Sequence, residues 1–165
     1  MTHIRFVLNA DDYALNDAVD DAVVHLAERG VVRTTSAMVL SRRWPVAARR
    51  LEHLDIDIGL HIDLTSAAVP GWAARVGDTV ALAAFARALD RRWLRACLMA
   101  QCARFEDAIG AAPAFVDGHQ HVHQFPGIRT VLLDVLAQRY AERLPRIRVC
   151  KTARFRGLKA ALIAS

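Results

Sequence analysis

The chain alternates between short apolar runs of β-favouring residues and longer segments in which apolar side chains recur at helical spacing. The β-favouring runs are residues 4–8, 36–40, 56–64, 114–116 and 146–150. This alternation is typical of parallel strands with helices packed outside them, as in open α/β sheets and (β/α) barrels. A closed (β/α) barrel needs eight strands and about 250 residues. We therefore expect an α/β fold of about five strands, whose sheet is open or whose barrel is incomplete.

The segments between these runs predict the helices. Residues 17–29 carry an apolar stripe at helical spacing and precede Gly30, a typical helix stop. Further helices are predicted at residues 45–53, at 81–109 with a break near Asp90, and at 128–143. Residues 66–78 contain one proline and two glycines and predict a surface loop. Because 165 residues lie within the size range of one domain, residues 1–165 are expected to form a single domain.

The composition narrows the class of protein. Apolar residues make up 54% of the chain and charged residues 24%, which excludes a disordered or collagen-like protein. Cys97, Cys102 and Cys150 form no CxxC pair and are expected to be free thiols in a reducing compartment. The N-terminus shows no signal-peptide pattern, and no apolar stretch is long enough to cross a bilayer. We therefore predict no membrane span and a cytoplasmic location.

Basic residues concentrate towards the C-terminus. The net charge is +5, and 20 of the 22 basic residues are arginines. The basic stretch comprises Arg139, Arg143, Arg146, Arg148, Lys151, Arg154, Arg156 and Lys159, with Glu142 as its one acidic residue. Since no aromatic stacking platform accompanies this charge, a solvated helix face is a better interpretation than a nucleic-acid interface.

Three polar clusters interrupt the apolar pattern at or just beyond the ends of predicted strands. They are residues 9–12, 59–63 and 117–123. Active sites of α/β folds lie at the carboxyl ends of the strands. Two adjacent carboxylates there are costly unless a cation binds them. One carboxylate with two imidazoles is a known facial set for a divalent metal, so Asp11 or Asp12, His61 and a histidine of the last cluster are candidate ligands.

Each cluster taken alone has a simpler interpretation. Asp11 and Asp12 are typical of a helix N-cap, and His61 is typical of a buried histidine with satisfied hydrogen bonds. His119, His121 and His123 would share one face if their segment were extended, and spacing alone does not choose among them. Their joint occurrence at three strand ends favours a functional site.

Four ordered motifs resemble one known family. They are residues 9–13 (Asn-Ala-Asp-Asp-Tyr), 30–39 (Gly-Val-Val-Arg-Thr-Thr-Ser-Ala-Met-Val), 59–65 (Gly-Leu-His-Ile-Asp-Leu-Thr) and 117–123 (Asp-Gly-His-Gln-His-Val-His). The chain resembles the YdjC-like carbohydrate deacetylases, which include chitooligosaccharide deacetylases and hopanoid-biosynthesis-associated members. The resemblance implies a (β/α) barrel of the polysaccharide-deacetylase type. It also implies a metal-dependent hydrolase that removes the acetyl group of an N-acetylated sugar.

The resemblance also implies roles for individual residues. Asp12, His61 and His119 match the metal ligands, and Asp11 matches the catalytic base. The family favours Mg²⁺, with Zn²⁺ as the second choice. Beside these roles, we expect His121 and His123 to orient ligands or to line the sugar site, and Arg148 to hold Asp11 or a substrate oxygen.

The chain departs from the family pattern in two ways. Ala14 stands where glycine is usual, although alanine tolerates positive φ poorly. The family also continues beyond this chain's length and carries a late His-Pro-Gly motif with the general-acid histidine. We therefore expect a barrel truncated at its C-terminus, whose open edge favours a homo-oligomer. The alternative to an active deacetylase is a catalytically silent fragment that binds the metal or the sugar.

Overall fold

The computed structural model describes residues 6–66 and 89–150 of the 165-residue chain. In chain order the elements are β1 (Asn9–Tyr13), α1 (Asp17–Glu28), β2 (Thr34–Ala37), α2 (Trp44–Arg49), β3 (Asp57–Ile62), α3 (Arg91–Ile109), β4 (Phe115–Gly118), a 3-10 helix (His119–Gln124), α4 (Pro126–Arg139) and β5 (Arg146–Ile147). The strands form one sheet in the order β1-β2-β3-β4-β5, and every neighbouring pair is parallel. The predicted α/β fold is confirmed.

Local sequence signals set the ends of the two clearest helices. Asn16 caps α1 by accepting a hydrogen bond from the backbone N–H of Val19, and Gly30 adopts a φ of 67° just beyond the helix. Asp90 caps α3 through the N–H of Arg92, and Gly110 ends the helix with a φ of 75°. The predicted break near Asp90 is therefore the start of α3. Residues 81–88 and most of the predicted loop lie outside the described residues.

The first strand differs most from its prediction. Phe6, Val7 and Leu8 belong to no strand and are largely exposed, whereas the strand begins at Asn9. The reason is pairing, because β2 begins at Thr34 and its register sets Thr34 opposite Asn9. The polar segment expected to follow the strand is therefore the strand itself. Residues 4 and 5 lie outside the described residues.

Other boundaries shift by a few residues. Helix α2 ends at Arg49 instead of residue 53, and turns follow it. Helix α4 starts at Pro126, since proline suits the first helical turn, and ends at Arg139 instead of residue 143. Strand β5 contains two residues, compared with the predicted five.

The core lies between the sheet and the outer helices. Apolar residues of β3, β4, α3 and α4 form one buried cluster. It includes Leu60, Ile62 and Val116 of the strands and Leu94, Leu98, Phe105, Leu132 and Leu136 of the helices. Trp44 of α2 stacks on Phe105 with ring centroids 6.0 Å apart. Gly59 of β3 faces the ring of Phe115 so closely that an added Cβ would lie 2.4 Å from it. Parallel backbone pairing keeps β2, β3 and β4 in register, so their carboxyl ends lie at one edge of the sheet.

The described part of the chain also tests the predictions about the cysteines, about membrane spans and about the basic stretch. The three cysteines are free, as predicted. No helix among the described residues combines the length and the apolarity that crossing a membrane requires. In the basic stretch, Arg139 pairs with Glu106 and Arg146 pairs with Asp57, so part of this charge is neutralised within the fold. Residues 151–159 of that stretch lie outside the described residues.

Candidate metal centre

Both aspartates of the first cluster reach the same end of the sheet because β1 is irregular. The pairing of β1 with β2 shifts register between Ala10 and Tyr13, and Asp12 adopts a φ of 65°. Neighbouring strand residues normally face opposite sides, and an irregularity of this kind re-aims one of them. As a result Asp12 contacts the histidines and Asp11 contacts Arg148. The simpler interpretation of this pair as a helix N-cap is wrong, because Asn16 caps α1.

Ala14 adopts the positive φ that its residue type disfavours. Its φ is 72°, its side chain is fully buried, and its N–H donates to Asp20 Oδ1 at 2.7 Å. A left-handed conformation costs an alanine roughly 1–2 kcal/mol. Ala14 lies two residues after Asp12 in the chain, and unfavourable backbone conformations of this kind cluster at functional sites.

Asp12, His61 and His119 converge at the carboxyl ends of β1, β3 and β4. Asp12 Oδ1 lies 3.0 Å from His61 Nε2 and 2.7 Å from His119 Nδ1. One ligand atom from each residue lies within 4.8 Å of the other two. One carboxylate oxygen and two imidazole nitrogens fit a divalent metal and leave coordination positions for water and substrate. The three residues that the resemblance implied as ligands are therefore together in space.

His61 is held in place by buried partners on its other nitrogen. Its Nδ1 lies 2.6 Å from Asp117 Oδ1 and 3.2 Å from Ser36 Oγ, and the Asp117 side chain is 1% exposed. A carboxylate behind a metal-binding imidazole orients the ring and sets its tautomer. Asp117 therefore leaves Nε2 of His61 directed at Asp12 and available to a metal.

The electrostatics of the centre favour a bound cation. Burial lowers the pKa of His61, but hydrogen bonds with Asp117 and Asp12 outweigh burial and raise it to about 9. Hydrogen bonds from His119 and His61 hold the pKa of Asp12 well below its usual range. At neutral pH the Asp12 carboxylate is thus ionised, and the His61 imidazole is protonated on both nitrogens. A metal ligated by Nε2 takes the place of that proton.

Arg148 connects Asp11 to the support of His61. Its Nη1 donates to both carboxylate oxygens of Asp11, at 2.7 and 2.9 Å, and to Asp117 Oδ2 at 3.0 Å. Asn9 also donates to Asp11, and the Ser36 hydroxyl donates to Asp117 Oδ2 at 3.1 Å. Of the two contacts predicted for Arg148, the structure shows the one with Asp11.

The last histidine cluster is not extended, so the prediction that its three histidines would share a face if extended does not apply. Gln120 and His121 have left-handed φ values of 52° and 60°, so a kink interrupts the 3-10 segment His119–Gln124. His119 alone among the three contacts Asp12. His121 is half-buried, with Nδ1 3.4 Å from Cys150 Sγ. His123 is 1% exposed and lies 3.0 Å from the carbonyl oxygen of Arg148. Their role towards a sugar stays a prediction.

Four residues that surround the centre are absent from the sequence prediction: Asn9, Ser36, Asp117 and Gln124. Three of them lie inside the motifs that carry the family resemblance, which was the available signal. Their contacts join residues up to 81 positions apart, as between Ser36 and Asp117, so spacing along the chain could not reveal them.

Fold and site together define a class. The molecule is a parallel α/β protein with a candidate metal centre at the carboxyl ends of its strands, where (β/α)-barrel enzymes place their active sites. The chain belongs to the YdjC-like protein family, whose sequence profile matches residues 5–163.

Two curated relatives agree with this assignment. A carbohydrate deacetylase of Mus musculus is 32% identical over 159 residues, which cover 87% of this chain and 50% of that protein. A chitooligosaccharide deacetylase of Salmonella typhimurium is 31% identical over 149 residues, which cover 81% of this chain and 56% of that protein. The chain thus spans about half the length of the curated relatives it matches.

A crystal structure from Enterococcus faecalis has the same fold. Its protein carries the provisional name cellobiose-phosphate cleavage protein, and it superposes with a TM-score of 0.69 at 23% identity. The match covers 95% of this chain and 61% of that one. The sheet described above is therefore consistent with part of a barrel.

Proposed function

We propose that this chain carries the metal centre of a metal-dependent carbohydrate N-deacetylase, which removes the acetyl group of an N-acetylated sugar. The observation that carries the proposal is the convergence of Asp12, His61 and His119 with Asp11 beside them. The names of the relatives, which are carbohydrate and chitooligosaccharide deacetylases, support the reaction and the substrate class. Chitooligosaccharides and a hopanoid-linked glycolipid are the two substrates we propose to test.

Asp12, His61 and His119 would hold the metal. A divalent ion held there would supply two effects, a lower pKa for a water molecule and polarisation of the acetamide carbonyl. We propose Mg²⁺ first and Zn²⁺ second, because one carboxylate and two imidazoles accept either. Asp117 and Ser36 keep the His61 ring in the orientation that the ligand role requires.

Asp11 is the group we propose as the general base. It takes a proton from the attacking water, whose oxygen bonds to the acetyl carbon while the carbon–nitrogen bond breaks. The products are acetate and the free sugar amine, which takes up a proton. Arg148 and Asn9 hold the Asp11 carboxylate by hydrogen bonds, so its oxygens are fixed before substrate binds. Fixed geometry of a proton acceptor is a large part of its catalytic effect.

The test is acetate release from N-acetylglucosamine dimers and from an N-acetylated glycolipid, with Mg²⁺ or Zn²⁺ added. Asp11→Asn should abolish release and retain metal binding, because it removes the proton acceptor and leaves all three ligands. Asp55→Asn is the matched control, since Asp55 is fully exposed and pairs only with Arg33 among the described residues. Release by Asp11→Asn at the parent rate would refute the assignment of the base.

The second candidate function is binding of the metal or the sugar without turnover. Stoichiometric metal binding without acetate release from either substrate would select this candidate. We also propose a single domain, a cytoplasmic location and a homo-oligomer, which fractionation and light scattering would check.

A further inference from the structure

The 3-10 segment His119–Gln124 contacts the site at both of its ends. At its far end, His123 Nε2 and Gln124 Nε2 lie 3.0 and 2.8 Å from the same atom, the carbonyl oxygen of Arg148. A carbonyl oxygen only accepts hydrogen bonds, so both nitrogens must donate to it. One short segment therefore contributes a candidate metal ligand at its start and holds the main chain of Arg148 at its end.

The side chains of His123 and Gln124, which donate these two hydrogen bonds, are buried. The side chains of His123 and Gln124 are 1% and 7% exposed. His123 Nδ1 is buried and has no hydrogen-bond partner within residues 6–66 and 89–150. Burial lowers the pKa of His123 to about 4, so the ring is neutral and its single N–H is the one on Nε2. The ring is therefore arranged as a donor to the carbonyl of Arg148.

The position of Arg148 explains why such a contact matters. Strand β5 pairs with β4 at two residues, and the N–H of Arg148 makes the next bond, to Val116 O at 3.0 Å. His123 and Gln124 then hold the carbonyl on the other side of the same residue. The main chain of Arg148 is thus fixed at both its N–H and its carbonyl. From there its guanidinium reaches Asp11 and Asp117.

We infer that His123 and Gln124 are positioning residues that act through Arg148 on Asp11. For catalysis the inference rests on the proposed function, whereas the immobilisation of Arg148 does not. A long side chain on a weakly paired strand end would otherwise sample several rotamers, and ordering it once in the fold removes that cost from each reaction. The histidine-rich segment thus serves the site from two sides.

The first test measures the mobility of Arg148 directly in the whole chain, by ¹⁵N relaxation of its guanidinium group. Gln124→Met and His123→Phe each remove one donor and keep the approximate side-chain size. Both variants should increase the amplitude of motion at Arg148 Nε. Gln101→Met is the matched control, because Gln101 is a fully buried glutamine that donates to a different carbonyl, that of Asp63. An Arg148 that is as rigid in both folded variants as in the parent would overturn the inference.

The second test uses turnover, if the proposed deacetylase activity is present. Gln124→Met should lower kcat about tenfold, as is typical for loss of a supporting hydrogen bond, and leave KM and metal affinity unchanged. In an Arg148→Gln background the same change should have no further effect on kcat. Additive effects would overturn the inference. If the parent releases no acetate, the proposed function fails and the relaxation result alone still decides the positioning role.

Discussion

Asp117→Asn tests the construction of the candidate metal centre most sharply. The Asp117 carboxylate accepts three hydrogen bonds, from His61 Nδ1 at 2.6 Å, from Arg148 at 3.0 Å and from Ser36 at 3.1 Å. An asparagine offers one acceptor oxygen and one donor group. If its oxygen faces His61, its NH₂ group meets the donors of Arg148 and Ser36. If its NH₂ group faces His61, the ring must move its proton to Nε2, which is the ligand atom.

The expected loss of metal affinity in Asp117→Asn follows from these alternatives. A hydrogen bond to a charged group contributes about 1.5–3 kcal/mol. Since 1.4 kcal/mol corresponds to a factor of about ten, losing that much support from the ligand form of His61 should weaken metal binding roughly ten- to hundredfold. Substitutions behind other metal-binding histidines have effects of the same size.

The assay is titration calorimetry with Mg²⁺ and Zn²⁺ on the parent and on folded Asp117→Asn. Asp63→Asn is the control, because Asp63 is also 1% exposed and its carboxylate accepts from the backbone N–H groups of Thr65 and Ser66. We expect the control to bind metal like the parent. Parent-like affinity in Asp117→Asn, with circular dichroism showing a native fold, would refute the view that Asp117 sets the tautomer of His61.

Two further predictions concern the fold. Gly59→Ala should reduce the free energy of unfolding by about 1–3 kcal/mol in urea titrations, because the added Cβ would lie 2.4 Å from the Phe115 ring. Phe115→Leu should reduce that loss, and an equal loss in both backgrounds would contradict the packing argument. A bidentate ion pair with Arg139 and a bond from Tyr140 lower the pKa of Glu106. Its stabilisation, about 1 kcal/mol for a partly exposed pair, is therefore fully present above the ordinary pKa of a glutamate and is lost as pH falls through the lower pKa of the folded state. Thermal unfolding of the parent and of Glu106→Gln between pH 7 and 3 checks this prediction. The difference in Tm between the two proteins should disappear at low pH, and a difference that stays constant would exclude this role for Glu106.

The pattern of strands and helices shows how much of the fold the local sequence predicts. The order of strands and helices and their parallel arrangement follow from apolar periodicity, which records which side chains are buried. The strand at Asn9–Tyr13 could not be predicted, because it is polar and exists through its pairing with Thr34–Ala37. Residues 4–8 have the better strand sequence, yet the part of them that the structure describes has no partner strand.

The candidate site, too, has a part that the sequence predicts and a part that only the structure shows. The sequence by itself determined that carboxylates and imidazoles occur at three strand ends, and the family motifs indicated Asp12, His61 and His119 among them. Only the tertiary structure decided that the backbone at Gln120 and His121 coils and directs the last two histidines away from Asp12. The structure alone also placed Arg148 against Asp11, 137 positions away. Periodicity and motifs report the local environment of each residue, whereas a site is made of contacts between residues that are distant in the chain, which exist only after the strands have paired.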